Sequence, residues 1–187
     1  EETSACVGFG LTGAAYARLR SLGYDCGYFS PLASYAIGRQ LEGIYKGKLL
    51  PDDGSYPSLV MSGGKRYGLV AESAWPFDRD RSTRVHQEVP FDVFQKASQF
   101  RLANFARIDA KGDARVEACK RAIASMHPVP LGMRVGSKFL NYAQGRDPVG
   151  VEFDDLGGHM TFLCGYEDDG NVFIGCNSWG TGYGEDG

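Results

Sequence analysis

The stretch "HMTFLCGYEDDGNVFIGCNSW", residues 159–179, decides the fold of this chain. Two apolar runs with β-forming residues, "HMTFLCGY" and "VFIGCNSW", flank the turn-rich segment "EDDGN". This pattern is typical of two antiparallel strands joined by a short turn. The sequence therefore predicts a β-hairpin, with His159 at the start of its first strand and Asn177 at the end of its second.

The register of this hairpin has two alternatives. A turn centred on residues 169–170 would place His159 opposite Gly180, whereas a turn centred on residues 168–169 would place it opposite Ser178. In both cases His159 and Asn177 lie at neighbouring strand ends. An asparagine carbonyl oxygen can keep one imidazole nitrogen protonated and direct the other outward, and a thiol nucleophile uses a histidine oriented in this way.

Cys6 is the thiol best placed to be that nucleophile. It opens a mostly apolar run from Cys6 to about Leu22, which predicts a helix capped by Ser4 and closed by Gly23. A cysteine in the first turn of a helix is favoured as thiolate by the helix dipole. We therefore expect Cys6 to be chemically active.

The other four cysteines give no metal or disulfide signature, because the chain has no C-x-x-C pair. Cys119, Cys164 and Cys176 lie in apolar elements, so we expect them to be buried core thiols. Cys26 lies in a turn and has no assigned role.

Composition excludes two classes of partner. The net charge of −3 in 187 residues gives no basic surface for nucleic acid. No apolar run reaches the roughly 18 residues that a membrane-spanning helix requires.

Further patterns place helices mainly before residue 100. Ser30 caps a predicted helix over 30–43 with Pro31 at its first position, and a third helix starts at Ser55 or Tyr56 and ends before residue 68. Residues 74–92 are predicted to be an irregular connection. Asp113 is predicted to cap another helix that ends before residue 127, after which strands predominate. These elements predict an α+β fold.

Four stretches in order carry a family resemblance: "SACVGFG", "DDGSYPSLVMSGGKRYGLVAESAWPFD", "GGHMTFLCGYEDDGNVFIGC" and "NSWGTGYGEDG". Together they resemble the papain-like cysteine peptidases, and the spacing from Cys6 to His159 is close to the ~130–150 residues expected there. The resemblance implies that Cys6 is the nucleophile, His159 the base and Asn177 the residue that orients it. It also implies that Trp179 shields the His159–Asn177 bond from water.

The resemblance implies a papain-like fold of two subdomains with the active site in the cleft between them. Residues 1–100 would form a mainly helical subdomain that carries the nucleophile, and residues 101–187 a mainly β subdomain that carries the histidine and the asparagine. No metal or cofactor is needed for this chemistry. The substrate-binding residues implied by the resemblance are Gly54, Ser55, Tyr56, Pro57, Gly132, Met133 and Gly158.

The chain departs from the family pattern around the nucleophile. The signature C-G-[SA]-C-[WY] is replaced by residues 3–7, "TSACV", and Thr3 removes one partner of a disulfide usual in secreted members. We therefore expect a divergent, disulfide-poor member of bacterial type. The resemblance places a second oxyanion donor, a glutamine, directly before Glu1, and places further strands after Gly187.

Three functional hypotheses follow. The first is a cysteine endopeptidase that acts through a thioester acyl-enzyme. The second keeps the Cys6–His159–Asn177 triad for another acyl transfer, as in an amidase, a deamidase or a transpeptidase. The third is a non-catalytic binding module of papain-like shape. Expected partners are a polypeptide substrate and an inhibitory propeptide or protein inhibitor, and a secreted or periplasmic location is expected with a cytoplasmic one left open.

Overall fold

The computed structural model describes residues 3–43, 50–77, 84–97, 99–143, 147–150 and 154–187. Its α-helices are α1 (Cys6–Ser21), α2 (Pro31–Leu41), α3 (Pro57–Arg66), α4 (Phe91–Ala97), α5 (Asp113–Ala124) and α6 (Ser137–Leu140). Its strands are β1 (Val129–Val135), β2 (Gly157–Glu167) and β3 (Val172–Cys176), and short 3-10 helices lie at Glu72–Ala74 and Arg84–His86. The predicted α+β fold is confirmed. None of the helices in the described ranges is long and apolar enough to cross a membrane.

Helix α1 is the centre of the molecule, because it packs against α2 and α3 on one side and against β2 on the other. Two glycines allow these close approaches. A Cβ atom at Gly8 would lie 2.1 Å from the backbone oxygen of Pro31, and one at Gly10 would lie 2.8 Å from the side chain of Met160. The prediction that Ser4 caps this helix is wrong, since the residue before the helix is Ala5 and no side chain caps it. The Ser4 hydroxyl is instead used in a long-range hydrogen bond described below.

Helix α2 begins as predicted, whereas α3 begins at Pro57, just after the predicted start at Ser55 or Tyr56. The Ser30 hydroxyl accepts a hydrogen bond from the Ala33 N–H at 3.0 Å, and a proline occupies the first position of each helix. The residues of α2 from Pro31 to Arg39 are all buried, which makes this helix the apolar support of α1.

Helix α5 starts one residue earlier than a cap at Asp113 would require. Gly112 precedes the helix with a φ of +54°. Asp113 is the first residue of the helix, where its negative charge interacts favourably with the helix dipole. Cys119 on this helix is buried, as expected of a core thiol. Helix α4 was not predicted. It begins at the end of the stretch predicted to be irregular, of which residues 78–83 lie outside the described residues.

The three strands form one antiparallel sheet in the order β1-β2-β3. The predicted hairpin is confirmed, and Glu167 pairs with Val172 beside the turn, as a turn centred on residues 169–170 requires. The pairing then shifts by one residue, so that Leu163 pairs with Gly175. Cys164 is the extra residue on β2, which makes this a β-bulge. Neither predicted register therefore holds along the whole hairpin.

Candidate active site

His159 and Asn177 form a direct hydrogen bond at the open end of the β2–β3 hairpin. The His159 Nε2 atom lies 2.8 Å from Asn177 Oδ1, and the Ser178 backbone N–H donates to the same oxygen at 2.8 Å. Because that oxygen faces the ring, Nε2 must carry the proton, which leaves Nδ1 as the basic nitrogen. His159 is 8% exposed, and this burial lowers the pKa of its imidazole, while the bond to Asn177 opposes the decrease.

Aromatic side chains cover this pair. The Trp179 ring centroid lies 4.8 Å from that of His159, and Phe139 on α6 contacts both rings at 5.8 Å from His159 and 5.5 Å from Trp179. Tyr183 packs edge-on against Trp179, and its hydroxyl donates to the Phe139 carbonyl oxygen at 2.6 Å. Trp179 thus occupies the place implied for it. Sequence reasoning missed Phe139, which lies in no quoted motif, and Tyr183, which lies within "NSWGTGYGEDG" but was assigned no role.

Cys6 and His159 line one cleft of about 1040 Å³, Cys6 from the start of α1 and His159 from β2. Trp179 also lines this cleft, and Asn177 is bonded to His159 behind the ring. All the implied substrate-binding residues line the same cleft: Gly54, Ser55, Tyr56, Pro57, Gly132, Met133 and Gly158. The structure therefore brings together the residues that the sequence placed far apart.

Comparison with known proteins gives the family. The family model described as papain family cysteine protease matches residues 53–187. The chain belongs to the papain family. A curated relative, an uncharacterized peptidase C1-like protein of Acanthamoeba polyphaga mimivirus, is 28% identical over 131 residues, which are 65% of this chain and 41% of that protein. The chain thus spans less than half the length of this relative.

Solved structures share the papain fold with this chain. Xylellain, a cysteine protease from Xylella fastidiosa, superposes with a TM-score of 0.80 at 23% identity and covers 98% of this chain and 70% of that chain. The digestive procathepsin L 3 of Tenebrio molitor larval midgut gives a TM-score of 0.75 at 19% identity over 99% of this chain and 56% of that chain. At these identities the likeness establishes the fold.

In this member of the papain family, a hydrogen-bond network ties the start of α1 to the cleft loop. Asp52 Oδ1 accepts bonds from the Ser4 N–H and from the Tyr35 hydroxyl, both at 3.0 Å. The Ser4 hydroxyl donates to the Asp52 carbonyl oxygen at 3.0 Å, and the Gly54 N–H donates to the Tyr35 hydroxyl at 2.9 Å. These hydrogen bonds connect the turn before Cys6 with Gly54, through side chains for which the sequence indicated no such role.

A buried arginine, Arg39, contacts Tyr35 and the residue before Asp52 and so stabilises this network. The Arg39 guanidinium stacks 3.7 Å from the Tyr35 ring centroid and donates to the carbonyl oxygens of Pro51 and Val85, each at 2.6 Å. Arg39 is 0% exposed, and burial lowers the pKa of its guanidinium. Burial also raises the pKa of Tyr35, which keeps its hydroxyl protonated and able to donate to Asp52.

Among the described residues, the acidic and basic side chains that line the cleft beside His159 are those of Glu42, Asp53 and Arg134. Arg134 is engaged elsewhere, because it donates to both carboxylate oxygens of Asp155, at 2.7 and 2.6 Å. Across the described ranges, no group of histidine, cysteine, aspartate and glutamate side chains is arranged to hold a metal ion.

Proposed function

We propose that this chain is a cysteine endopeptidase that hydrolyses peptide bonds through Cys6, His159 and Asn177. The observation that carries the proposal is the bond from His159 Nε2 to Asn177 Oδ1, in a cleft that Cys6 also lines. The Ser178 N–H fixes the asparagine oxygen toward the ring, so the free nitrogen of His159 is available to the thiol. This is the arrangement that thiol-dependent acyl transfer requires.

In the proposed reaction, His159 Nδ1 takes the proton of Cys6, and the thiolate attacks the carbonyl carbon of the scissile peptide bond. The imidazolium then gives its proton to the leaving amine, and a thioester remains on Cys6. His159 next deprotonates a water molecule that attacks the thioester, which releases the acid and restores the thiol. The Asn177 oxygen stabilises the imidazolium in both halves of the cycle.

The position of Cys6 at the first residue of α1 supports two further roles for the backbone. The partial positive charge at a helix start favours the thiolate. Backbone N–H groups at a helix start point away from the helix, so the N–H of Cys6 is a proposed donor to the oxyanion that forms on the substrate.

We propose an extended polypeptide as substrate. Its backbone would pair with Gly54 and Ser55, and an apolar side chain would occupy the surface formed by Pro57, Met133 and neighbouring glycines. The lining of that surface is neutral, which supports an apolar residue two positions before the scissile bond. A propeptide or a protein inhibitor would bind along the same cleft, and a secreted or periplasmic location remains part of the proposal.

A peptide-based epoxide tests the proposal, because the cleft must orient this reagent against its nucleophile. We expect the reagent to modify Cys6 and stop peptide hydrolysis, and Cys6→Ala to remove turnover while the free energy of unfolding is kept. Cys26→Ala, which changes a thiol that does not line the cleft, is the control and should keep turnover. Hydrolysis that survives Cys6→Ala would refute the assignment, and turnover of simple amides without peptide cleavage would favour another acyl transfer.

A further inference from the structure

Two cysteines meet on the strand pair that carries the proposed base. The Sγ atoms of Cys164 on β2 and Cys176 on β3 lie 3.6 Å apart. The sequence predicted buried core thiols at both positions, and this is wrong for Cys164, which is exposed, while Cys176 is half-buried. Met160, Phe162 and Cys164 line the same cavity as Cys176, so Cys164 follows the alternation of β2, and burial decreases along this face from Met160 to Cys164.

The two thiols differ in acidity. The two Sγ atoms are within hydrogen-bond distance and either thiol can be the donor, and this contact with Cys176 lowers the pKa of Cys164 to about 7. The same contact raises the pKa of Cys176, and burial raises it further. Cys164 is therefore the more nucleophilic thiol near neutral pH and also the more exposed one.

The sulfur atoms are close enough for a bond. A disulfide has an S–S length of about 2.05 Å, so the two atoms must approach by about 1.5 Å, which side-chain rotation and a small adjustment of a bulge can supply. Cys176 pairs with Phe162, two residues before Cys164, so the two cysteines are diagonal neighbours on the same face of the strand pair.

We propose that Cys164 and Cys176 form a reversible disulfide and so constitute a thiol-modification site separate from the Cys6 cleft. The oxidant is a low-molecular-weight disulfide such as oxidised glutathione. The Cys164 thiolate attacks one sulfur of this oxidant and forms a mixed disulfide while one glutathione thiolate leaves. Cys176 then loses its proton to solvent and attacks the Cys164 sulfur, which releases the second glutathione. Two protein thiols are oxidised and one small disulfide is reduced to two thiols.

This site has a direct structural link to the proposed triad, since Cys176 is the residue before Asn177. A bond at this position would tie β2 to β3 immediately beside the asparagine. The proposal does not depend on proteolytic activity, because the chemistry involves only the hairpin.

The experiment uses the whole chain with Cys6→Ala, which removes the thiol of the cleft. After incubation with oxidised glutathione at neutral pH, free thiols are counted with a colorimetric thiol reagent and peptides are mapped by mass spectrometry. We expect the loss of two thiols, a mass decrease equal to two hydrogen atoms, and a cross-linked peptide pair that contains Cys164 and Cys176. Dithiothreitol should reverse all three changes.

Three single variants in that background supply the controls. Cys26→Ser should leave the cross-link unchanged, whereas Cys164→Ser should abolish it. Cys176→Ser should stop at the first step and accumulate a glutathione adduct on Cys164. Urea unfolding of each variant verifies that its fold is intact. The proposal is refuted if, after treatment with oxidised glutathione, the Cys6→Ala chain keeps Cys164 and Cys176 as free thiols or carries a stable glutathione adduct on Cys164. A disulfide from either of these cysteines to Cys26 would also refute it.

Discussion

The cleft has a helical wall, which carries Cys6 on α1, and a sheet wall, which carries His159 on β2. The two walls are held in place by different contacts. Cys6 stands on α1, which is packed on both sides, and the turn before it is fastened to Asp52. His159 stands on a hairpin whose outer strand is thinly covered, as shown by Ile174 at 47% exposed. The proposed nucleophile is thus positioned by the core, whereas the proposed base is positioned by strand pairing and by its own aromatic cover. Substitution of the packing and hydrogen-bonding residues on the helical wall should therefore reduce stability, and substitution of His159 on the sheet wall should reduce turnover.

The largest effect is expected from His159→Ala. Loss of the proposed general base and acid should lower kcat/KM for a peptide substrate by a factor of about 10² to 10⁴, with the fold retained. His127→Ala is the matched control, because His127 is exposed and does not line the cleft. Equal activity of the two variants would remove His159 from the mechanism.

The next largest effect is expected on the helical wall, from Gly8→Ala. The new methyl group would meet the backbone oxygen of Pro31, which cannot move without shifting α2, so the free energy of unfolding should fall by about 3 kcal/mol. Urea denaturation measures this change. Gly27→Ala is the control, since a Cβ atom there meets no atom within 4 Å. A loss at Gly8 no greater than the loss at Gly27 would contradict the close packing of α1 on α2.

A smaller loss is expected from Asp52→Ala. The substitution removes the acceptor of the Ser4 N–H and of the Tyr35 hydroxyl, and the free energy of unfolding should fall by about 2 kcal/mol. Asp53→Ala removes the same charge from the exposed neighbouring residue and should have little effect on unfolding. If both variants unfold at the same urea concentration, the network does not fasten the start of α1.

The smallest effect is a pH dependence on the sheet wall, measured with Cys6→Ala so that no thiolate interferes. Burial lowers the pKa of His159 in the folded chain, so the unfolded chain binds more protons below its ordinary pKa of about 6.5. The stability contributed by neutral His159 is thus complete above about pH 6.5 and is lost as the pH falls through the folded pKa. Urea unfolding at a series of pH values should show this loss, and adding His159→Asn should remove it. An NMR titration that found the folded pKa of His159 above 6.5 would reverse the sign.

Much of the site could be predicted because its motifs are local. The apolar runs around "EDDGN" define the hairpin, and Ser30 with Pro31 defines the start of α2. The order of Cys6, His159 and Asn177 then identified the residues that the fold brings together. The division at residue 100 into two subdomains stays a prediction.

What could not be predicted depends on contacts between distant segments. Ser4 has the residue type of a cap, but Asp52 lies close enough to take its hydroxyl instead. The decrease in burial along the face of β2 that carries Met160, Phe162 and Cys164 depends on which distant segments cover it, so the exposure of Cys164 was not foreseen. Phe139 reaches His159 only because α6 lies beside the end of β1, which no local pattern indicates.

The fastening between Ser4 and Asp52 also affects how the protein can be made. It consists of hydrogen bonds, so it forms as the chain folds and needs no enzyme or oxidant to introduce a cross-link. A reducing medium that would open a cystine leaves it intact. The spacing between Cys6 and the loop around Gly54 is therefore established without oxidative maturation. Expression in a reducing cytosol should yield the same spacing as export.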